Sequence, residues 1–365
     1  MNAEESYNAL AEHLGYGGSK RFRAVLENML TPDNARIVAA LPGTAQDVSQ
    51  KTGFDADDVQ IVLDQLFFDG VLVPRGDFQN RKFFRFAWSM GQFHDRTQAT
   101  KNRDVEKDRE FYELWHDFVM NEWYPDRGKN WMASNKPHER IVPAYKSIKD
   151  LPDVLPHENF HELLKAQESF AVVPCSCRIR TTSVDEHCEH TSEEKRWNCI
   201  QFGRSADYVK HRDSGTQLTL DEAIELSDKV EDEGLLHLWP NHNGIMGVAT
   251  SCQCCRDCCM NYVPMDLIGE SMETVWAKSR FEAYVEQDKC IGCQDCVDRC
   301  MFDAIDMVKP DGSNTGKKSK KMKAVVNPEK CWGCGVCVVG CDKVDALAMK
   351  TVRPPEHIPA PTPRK

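Results

Sequence analysis

The sequence predicts a multidomain α+β protein with a helical N-terminal domain, an α/β middle domain rich in cysteine and a C-terminal domain built from a repeat. Two observations support this class: one four-cysteine spacing occurs twice near the C-terminus, and apolar residues recur at helical intervals near the N-terminus. A chain of 365 residues is long enough for two or three domains. We expect the boundaries to separate residues 1–94, 95–156, 157–275, 276–351 and a proline-rich tail at 352–365.

The composition narrows the function classes. Lys plus Arg number 46 against 57 Asp plus Glu, and the net charge of −11 argues against a nucleic-acid-binding protein. Met1–Leu10 is polar and acidic, which predicts no export signal, and no apolar run approaches the roughly 20 residues that span a bilayer. The 17 cysteines are therefore expected to be metal ligands of a cytoplasmic protein rather than disulfides.

The repeated motif is C-x2-C-x2-C-x3-C. It occurs first at Cys290, Cys293, Cys296 and Cys300, and again at Cys331, Cys334, Cys337 and Cys341. This spacing resembles that of bacterial two-cluster ferredoxins, in which the fourth cysteine of each run ligates the other [4Fe–4S] cluster. The resemblance implies one ligand set of Cys290, Cys293, Cys296 and Cys341, and a second of Cys331, Cys334, Cys337 and Cys300.

Details of the motif refine this prediction. A pair of zinc knuckles is the alternative, but two runs of identical four-cysteine spacing disfavour it. We expect each fourth cysteine to open a helix, and glycines to let the backbone approach a cluster at Gly292, Gly333 and Gly335. The ferredoxin pattern usually has proline after the fourth cysteine, whereas this chain has Met301 and Asp342.

The regions around the motif are predicted as two β-loop-α-β halves, with strands at 281–285, 304–308, 323–326 and 346–350. Between the halves lies a cationic insertion that either is a solvated loop or steers an acidic redox partner; it contains Lys317, Lys318, Lys320, Lys321 and Lys323. The proline-rich tail is expected to be extended and to strap onto a neighbouring subunit.

The N-terminal domain is predicted to contain helices over residues 1–41, 44–53 and 54–70, followed by strands at 71–74 and 82–87. This order resembles a winged helix. The helix over 54–70, which would be the recognition helix, contains only acidic charges, which disfavours DNA binding: Asp55, Asp57, Asp58, Asp64 and Asp69. We therefore expect a docking or dimerising module, followed by a charged helix with an aromatic stripe at 95–124 and a connector at 125–156.

The middle domain is expected to begin with a helix at 157–168 and a strand at 169–173, then helices at 201–210 and 221–233 and a strand at 235–239. It contains nine cysteines: Cys175, Cys177, Cys188, Cys199, Cys252, Cys254, Cys255, Cys258 and Cys259. Thiolates in this density suit one or two further clusters, with zinc as an alternative because His187 and His190 flank Cys188. If residues 252–259 are helical, the cysteines pair at i, i+4. Cys175 and Cys177 are close on one strand and are expected to serve separate clusters.

The whole pattern of P-C-x-C-R, single cysteines, C-x-C-C-x-x-C-C and the ferredoxin motif resembles 4Fe-4S dicluster-domain proteins of anaerobes. That resemblance implies that the nine cysteines surround a further cluster site beside a larger oxidoreductase. The predicted fold class is thus α+β multidomain, with an N-terminal winged-helix-like helical domain, an α/β cysteine-rich middle domain and a C-terminal ferredoxin-like 2[4Fe-4S] domain.

No dinucleotide, P-loop or hydrolase motif is present in the sequence. We therefore expect an electron-transfer subunit that connects a soluble electron donor or acceptor with a partner oxidoreductase, in a homo- or hetero-oligomer. The alternatives are a reductase that acts at an atypical middle-domain cluster, and a redox-sensing regulator that binds DNA through the winged helix.

Overall fold

The computed structural model describes residues 1–134, 136–186, 188, 197–309 and 322–361. The chain forms two compact units: the first contains Met1–Asp126, Ala171–Cys188 and Arg204–Gln217, and the second contains Arg127–Phe170, Glu189–Gly203 and Leu218–Lys365. The predicted domain boundaries stay a prediction. Several predicted functional residues lie outside the described residues, namely His187, His190, Lys317, Lys318, Lys320 and Lys321.

The α-helices of the described residues are, in chain order, α1 (Ala3–His13), α2 (Lys20–Met29), α3 (Pro32–Ala39), α4 (Ala45–Thr52), α5 (Ala56–Phe68), α6 (Met90–Gln98), α7 (Arg109–Phe118), α8 (Tyr124–Ser134), α9 (Tyr145–Ile148), α10 (Phe160–Lys165), α11 (Ser176–Thr182), α12 (Arg204–Arg212), α13 (Leu220–Asp232), α14 (Val263–Ile268), α15 (Asp295–Asp298) and α16 (Val336–Val339). A π-helical turn at Val119–Trp123 joins α7 to α8. None of these helices combines the length and the apolar character needed to cross a membrane.

The strands are β1 (Gly43–Thr44), β2 (Leu72–Arg75), β3 (Phe83–Phe86), β4 (Glu139–Val142), β5 (Phe170–Pro174), β6 (Trp197–Phe202), β7 (Thr216–Leu218), β8 (Leu236–Pro240), β9 (Thr250–Ser251), β10 (Gln253–Cys254), β11 (Trp276–Ala277), β12 (Phe281–Val285), β13 (Ile305–Val308), β14 (Lys323–Val326) and β15 (Leu347–Thr351). They form sheets in the orders β1-β3-β2 and β10-β8-β4-β11, and the two-stranded sheets β12-β15 and β13-β14. Strand β5 neighbours β7, and β6 pairs with β9 in antiparallel orientation.

The N-terminal helices begin where the sequence provides caps. The Thr44 side chain accepts a hydrogen bond from the Asp47 amide, and the Asp47 carboxylate accepts one from the Thr44 amide, so α4 starts with a capping box. Helix α4 ends at Gly53 in the left-handed conformation. The Asp55 side chain caps α5. The two strands expected after α5 are confirmed as the antiparallel pair β2 and β3, while the winged-helix interpretation stays a prediction.

The expected helix at 95–124 and the connector after it are wrong. Helix α6 ends at Gln98 and α7 begins at Arg109, because the Asp104 carboxylate accepts hydrogen bonds from the amides of Glu106 and Lys107 and stabilises a turn between them. Helical structure then continues to Ser134. The supposed connector contains β4, which pairs with β8 and β11 inside a sheet.

The middle region follows the prediction in part. The predicted strand before Cys175 and the capped helix after Thr219 are confirmed as β5 and α13. Helix α10 starts only at Phe160, where the Asn159 side chain caps it, and α12 starts at Arg204, after the unpredicted strand β6. Residues 252–259 are not helical: β10 ends at Cys254, and turns follow it.

The repeat near the C-terminus has the predicted strands. Strand β12 pairs antiparallel with β15, and β13 pairs antiparallel with β14. Alternate side chains of these strands are buried in one core together with six of the motif cysteines, at Cys290, Cys296, Cys331, Cys337, Cys341 and partly Cys300. The tail packs on its own unit, since the Asn243 amide donates to the Pro359 carbonyl over 2.8 Å and Ile358 is buried. The strap onto a neighbouring subunit stays a prediction.

A buried ion pair anchors the start of this repeat. Arg280, directly before β12, contacts the Glu158 carboxylate over 2.8 Å, and the side chains are only 3% and 1% exposed. The Glu158 carboxylate also accepts a hydrogen bond from the Leu155 amide over 2.9 Å. Without Glu158, the buried Arg280 would keep only its longer contact with the Asp153 carboxylate, at 3.6 Å, so much of its charge would be left uncompensated.

We expect Glu158→Ala to lower the free energy of unfolding by about 3 kcal/mol, measured by urea unfolding under anaerobic conditions. Lys350→Ala is the matched control in the same unit, because it removes the more exposed Lys350–Glu282 pair, and we expect it to cost less than about 1 kcal/mol. Equal effects of the two variants would show that the Arg280–Glu158 pair does not anchor the repeat.

Candidate iron–sulfur centres

Each four-cysteine run forms a loop followed by a short helix. The third cysteine of each run lies inside the helix, Cys296 in α15 and Cys337 in α16. The fourth cysteine follows the helix, since α15 ends before Cys300 and α16 ends before Cys341. The expectation that the fourth cysteine opens a helix is therefore wrong.

Two cavities lie against these loops. The first is lined by Cys290, Cys293, Cys296 and Cys341, with apolar walls from Met307, Ala324 and Leu347. The second is lined by Cys331, Cys334, Cys337 and Cys300, with walls that include Phe302, Ile305 and Trp332. Each cavity thus combines three thiols of one run with the fourth thiol of the other. This is the crossed grouping that the spacing implies.

Burial and mutual repulsion make two of these thiols hard to ionise. Burial, together with charge on Cys293, Cys341 and Cys290, raises the pKa of Cys296 to about 12. Burial likewise raises the pKa of Cys334 to about 12, with Cys300 as the next cause. Thiolates rather than thiols bind metals. A cationic centre in the cavity would offset this cost, which fits four cysteines gathered for iron.

Glycines allow the second loop to approach its surroundings closely. Gly333 and Gly335 have φ of +68° and +75°, and a Cβ on either would collide with Phe281 or Ser147. In the first run, Gln294 occupies the position that corresponds to Gly335, and it adopts the same φ of +75°. Both halves thus have the left-handed backbone at this position. It causes steric strain at Gln294, which has a Cβ atom, but none at Gly335.

Arg299 connects the two cysteine loops to the middle helix α13. Its guanidinium donates to the Val336 carbonyl over 2.9 Å, next to Cys337. It also donates to the carbonyls of Asp232 and Glu231 over 2.8 and 2.6 Å, at the C-terminus of α13. Helix C-termini favour cations. Sequence analysis missed Arg299 because its acceptors lie far away along the chain.

The cysteines at 252–259 form two thiol groups. The Sγ atoms of Cys254 and Cys259 are 3.0 Å apart, and those of Cys255 and Cys258 are 3.1 Å apart. The helical pairing of these cysteines at i, i+4 is therefore wrong. In the second group the Asp257 carboxylate also lies within 4.8 Å of both Sγ atoms, so two thiols and one carboxylate are close enough to share a metal ion.

The first thiol group is also deeply buried. Burial raises the pKa of Cys254 well above its usual value, and hydrogen bonds with Cys252 and Cys259 add to this effect. Three thiols are therefore in contact at this point. Such soft donors are suited to iron–sulfur clusters or zinc.

A buried polar network supports this cysteine run. Gln253, between Cys252 and Cys254, is hydrogen-bonded to the His237 ring, whose other nitrogen lies 3.2 Å from the Glu231 carboxylate. His237 and Glu231 are 1% and 0% exposed. The same carboxylate accepts a hydrogen bond from the Tyr145 amide over 2.6 Å. Because each buried polar group has a partner, the network fixes the run in one position.

Direct contacts place the same run beside the second cavity. Arg256 donates to the Met301 carbonyl and to the Asp303 carboxylate over 3.3 and 3.0 Å, just after Cys300. Next to it, the rings of Tyr262 and Phe302 are 6.4 Å apart between centroids. Phe302 in turn stacks on Trp332 at 5.0 Å. Both Phe302 and Trp332 line the second cavity.

The remaining middle cysteines precede this run in the sequence. Cys175 directly precedes α11 and Cys177 lies in its first turn, so the two are not neighbours on one strand as expected. A hydrogen bond from Cys177, aided by the charge of Arg178, lowers the pKa of Cys175 to about 6. Cys188 is buried. Cys199, on β6, accepts a hydrogen bond from the Gln201 side chain over 3.1 Å.

Of the nine middle cysteines, Cys175, Cys177 and Cys188 belong to the first unit, and the other six belong to the second. That all nine surround one further cluster stays a prediction. All 17 cysteines are free of disulfides.

The comparisons with known proteins bear on the repeat. No curated protein and no solved structure matches the chain. Residues 289–344 match the family model of the 4Fe-4S dicluster domain, and these residues include both four-cysteine runs. The ferredoxin part of the sequence prediction is thereby confirmed, and the match indicates iron–sulfur electron transfer. Residues 289–344 of this chain are similar to a 4Fe-4S dicluster domain.

Proposed function

We propose that this chain is an iron–sulfur electron-transfer subunit. It passes single electrons through two [4Fe–4S] clusters in the repeat and one or two further centres at the middle cysteines, to or from a partner oxidoreductase and a soluble donor or acceptor. The observation that carries the proposal is the lining of the two cavities, each of which combines three cysteines of one run with the fourth of the other.

The chemistry of such clusters is the uptake and release of one electron at a potential set by hydrogen bonds, burial and charge. The chain supplies these controls. Amides of Ala304 and Ala346 donate to the Sγ atoms of Cys300 and Cys341 over 3.4 Å. Apolar side chains of Met307, Leu347 and Trp332 line the cavities. Hydrogen bonds to sulfur and an apolar lining both influence the potential of a cluster.

The contacts of the middle run support a longer electron path. Arg256 fixes the thiol groups at 252–259 against the loop after Cys300. Tyr262, which follows that run, contacts Phe302, and Phe302 stacks on Trp332 in the lining of the second cavity. A centre at the middle run would therefore have the second cavity of the repeat as its neighbour. The helix α5 gives no support to the DNA-binding alternative, because its exposed carboxylates at Asp57 and Asp58 would repel phosphates.

The crossed ligand sets can be tested by pairs of cysteine variants. We expect Cys341→Ser to alter the same electron paramagnetic resonance signal as Cys290→Ser, although the two residues belong to different runs. Cys300→Ser and Cys331→Ser should together alter the other signal. The reason is that each fourth thiol lines the cavity of the opposite run.

The protein would be purified and reduced under anaerobic conditions, and the wild type should contain at least about eight iron atoms for two cubane clusters. Each pair serves as the control for the other. The crossed sets would be refuted if Cys341→Ser changed the signal that Cys331→Ser changes.

The further centre can be tested by metal analysis. We expect iron beyond that of the two cubane clusters, and we expect Cys254→Ser to lower it without changing the signals of the repeat. Ser271→Ala is a control in the same unit, because Ser271 lies outside every cysteine group and only caps a 3-10 turn. Zinc in place of the extra iron, or no metal beyond the two clusters, would contradict a further iron–sulfur centre.

A reductase is the second candidate. It is favoured by the group of Cys255, Cys258 and Asp257, where a carboxylate stands close to two thiols. A metal ion bound by only two thiolates and one carboxylate would have a coordination position open to a substrate. Turnover of an organic substrate by the isolated chain with an artificial electron donor would support this candidate. Under the electron-transfer proposal, such turnover requires the partner.

A further inference from the structure

The first unit contains a cavity of about 680 Å³ that the proposed function does not use. It lies between the helices α1 and α3, the hairpin of β2 and β3, and the first residue of α12. This volume falls within the range of pockets that bind small molecules. Its lining includes three arginines and no carboxylate; the residues that matter here are His13, Arg75, Phe83, Arg85, Trp88 and Arg204.

The three arginines reach the cavity from two elements. In the hairpin, Arg75 is paired with Phe83, and Arg85 is paired with Val73. Arg75 and Arg85 therefore lie diagonally on the same face of the hairpin. Arg204, at the start of α12, donates to the Pro74 carbonyl over 3.1 Å, which holds its guanidinium at the hairpin.

These three arginines differ from Arg81, in the same hairpin region, in that they lack an acidic partner among the described residues. Arg81 forms an ion pair with Asp64 over 2.8 Å. In the described part of the chain, Arg75, Arg85 and Arg204 have no such acidic partner. Burial and the positive charges of Arg204 and Arg75 lower the pKa of Arg85. The three neighbouring positive charges repel one another. A multiply charged anion bound between them would remove this repulsion.

An aromatic wall stands beside the cations. Trp88 is 54% exposed, which is unusual for so large an apolar side chain. The Arg85 guanidinium lies 4.2 Å from the centroid of the Trp88 ring. Phe83, half-buried, lines the same cavity. Exposed rings next to arginines offer a stacking surface for a planar ligand group.

We propose that this cavity binds a nucleoside di- or triphosphate, with the phosphates between Arg75, Arg85 and Arg204 and the base against Trp88. Arginine binds phosphate oxygens in a bidentate manner, and three guanidiniums match the charge of such a ligand better than that of a single carboxylate. The site needs neither of the common nucleotide motifs, since side chains rather than a glycine-rich loop would contact the phosphates.

Duplex DNA fits the same features less well. The arginines line a concave cavity, whereas a duplex needs cations along an extended surface. The helix α5, which would have to enter the major groove, has exposed Asp55, Asp57 and Asp58 at its start. The observations therefore favour a small ligand.

Calorimetric titration of the full-length, anaerobically purified protein with ATP at constant ionic strength tests the proposal. We expect saturable binding, and weaker binding of pyrophosphate and of adenosine, each of which offers only half of the contacts. Arg75→Gln and Arg85→Gln should each weaken ATP binding by roughly tenfold or more, because each removes charge-assisted hydrogen bonds. Trp88→Ala should weaken ATP binding and leave pyrophosphate binding unchanged.

Lys82→Gln is the matched control. Lys82 is exposed on the same hairpin and does not line the cavity, so this variant removes one positive charge without changing the site. We expect ATP binding to change less than about twofold, because an exposed charge outside the site acts only weakly. Circular dichroism would establish that each variant is folded.

Three results would overturn the proposal: no saturable binding of ATP, a loss in Lys82→Gln as large as that in Arg85→Gln, or tighter binding of a short DNA duplex than of ATP. The cluster signals of these variants should equal those of the wild type. The outcome of this test is therefore independent of the proposed electron transfer.

Discussion

One guanidinium joins the parts of the molecule on which the candidate centres depend. Arg299 donates to a carbonyl beside Cys337 and to two carbonyls at the end of α13. The negative end of a helix and the main chain of a cysteine loop are thereby fixed to the residue that precedes Cys300. A lysine could not replace it, because an ammonium group is a point charge whereas the guanidinium has donors in a planar fork. Gly340 completes this arrangement, since a Cβ there would collide with Arg299.

The predictions that held depend on local rules. Cysteine spacing within a dozen residues determines which thiols can share a loop, and the ferredoxin-type repeat that it predicts matches the 4Fe-4S dicluster domain, while the ligand sets stay a prediction. Helix caps such as Thr44 and Thr219 act within three residues and were equally predictable. The predictions that failed depend on distant partners. Strand β4 exists because β8 and β11 border it, and nothing within 139–142 indicates those neighbours.

The cysteine run at 252–259 is a second region whose structure depends on residues far away in the sequence. An i, i+4 spacing is compatible with a helix, but Cys254 belongs to a strand that pairs with β8, and the turns after it bring Cys259 back to Cys254. The side chains that hold the run are Gln253, His237 and Arg256. Their residue types are ordinary, and only the fold brings them to the cysteines. The arginine cavity of the first unit is similar, because the sequence shows a basic hairpin but not that Arg204 joins it.

The two halves of the repeat share a backbone but not an environment. At the first cavity, Cys293 is exposed and Ile291 is 48% exposed. At the second, Cys334 is half-buried and the Trp332 side chain is only 7% exposed. Water stabilises an added negative charge far better than apolar side chains do. If each site holds a cluster, the more exposed first site would therefore stabilise an added electron better than the buried second site, and the two clusters would differ in reduction potential although their ligand spacing is identical.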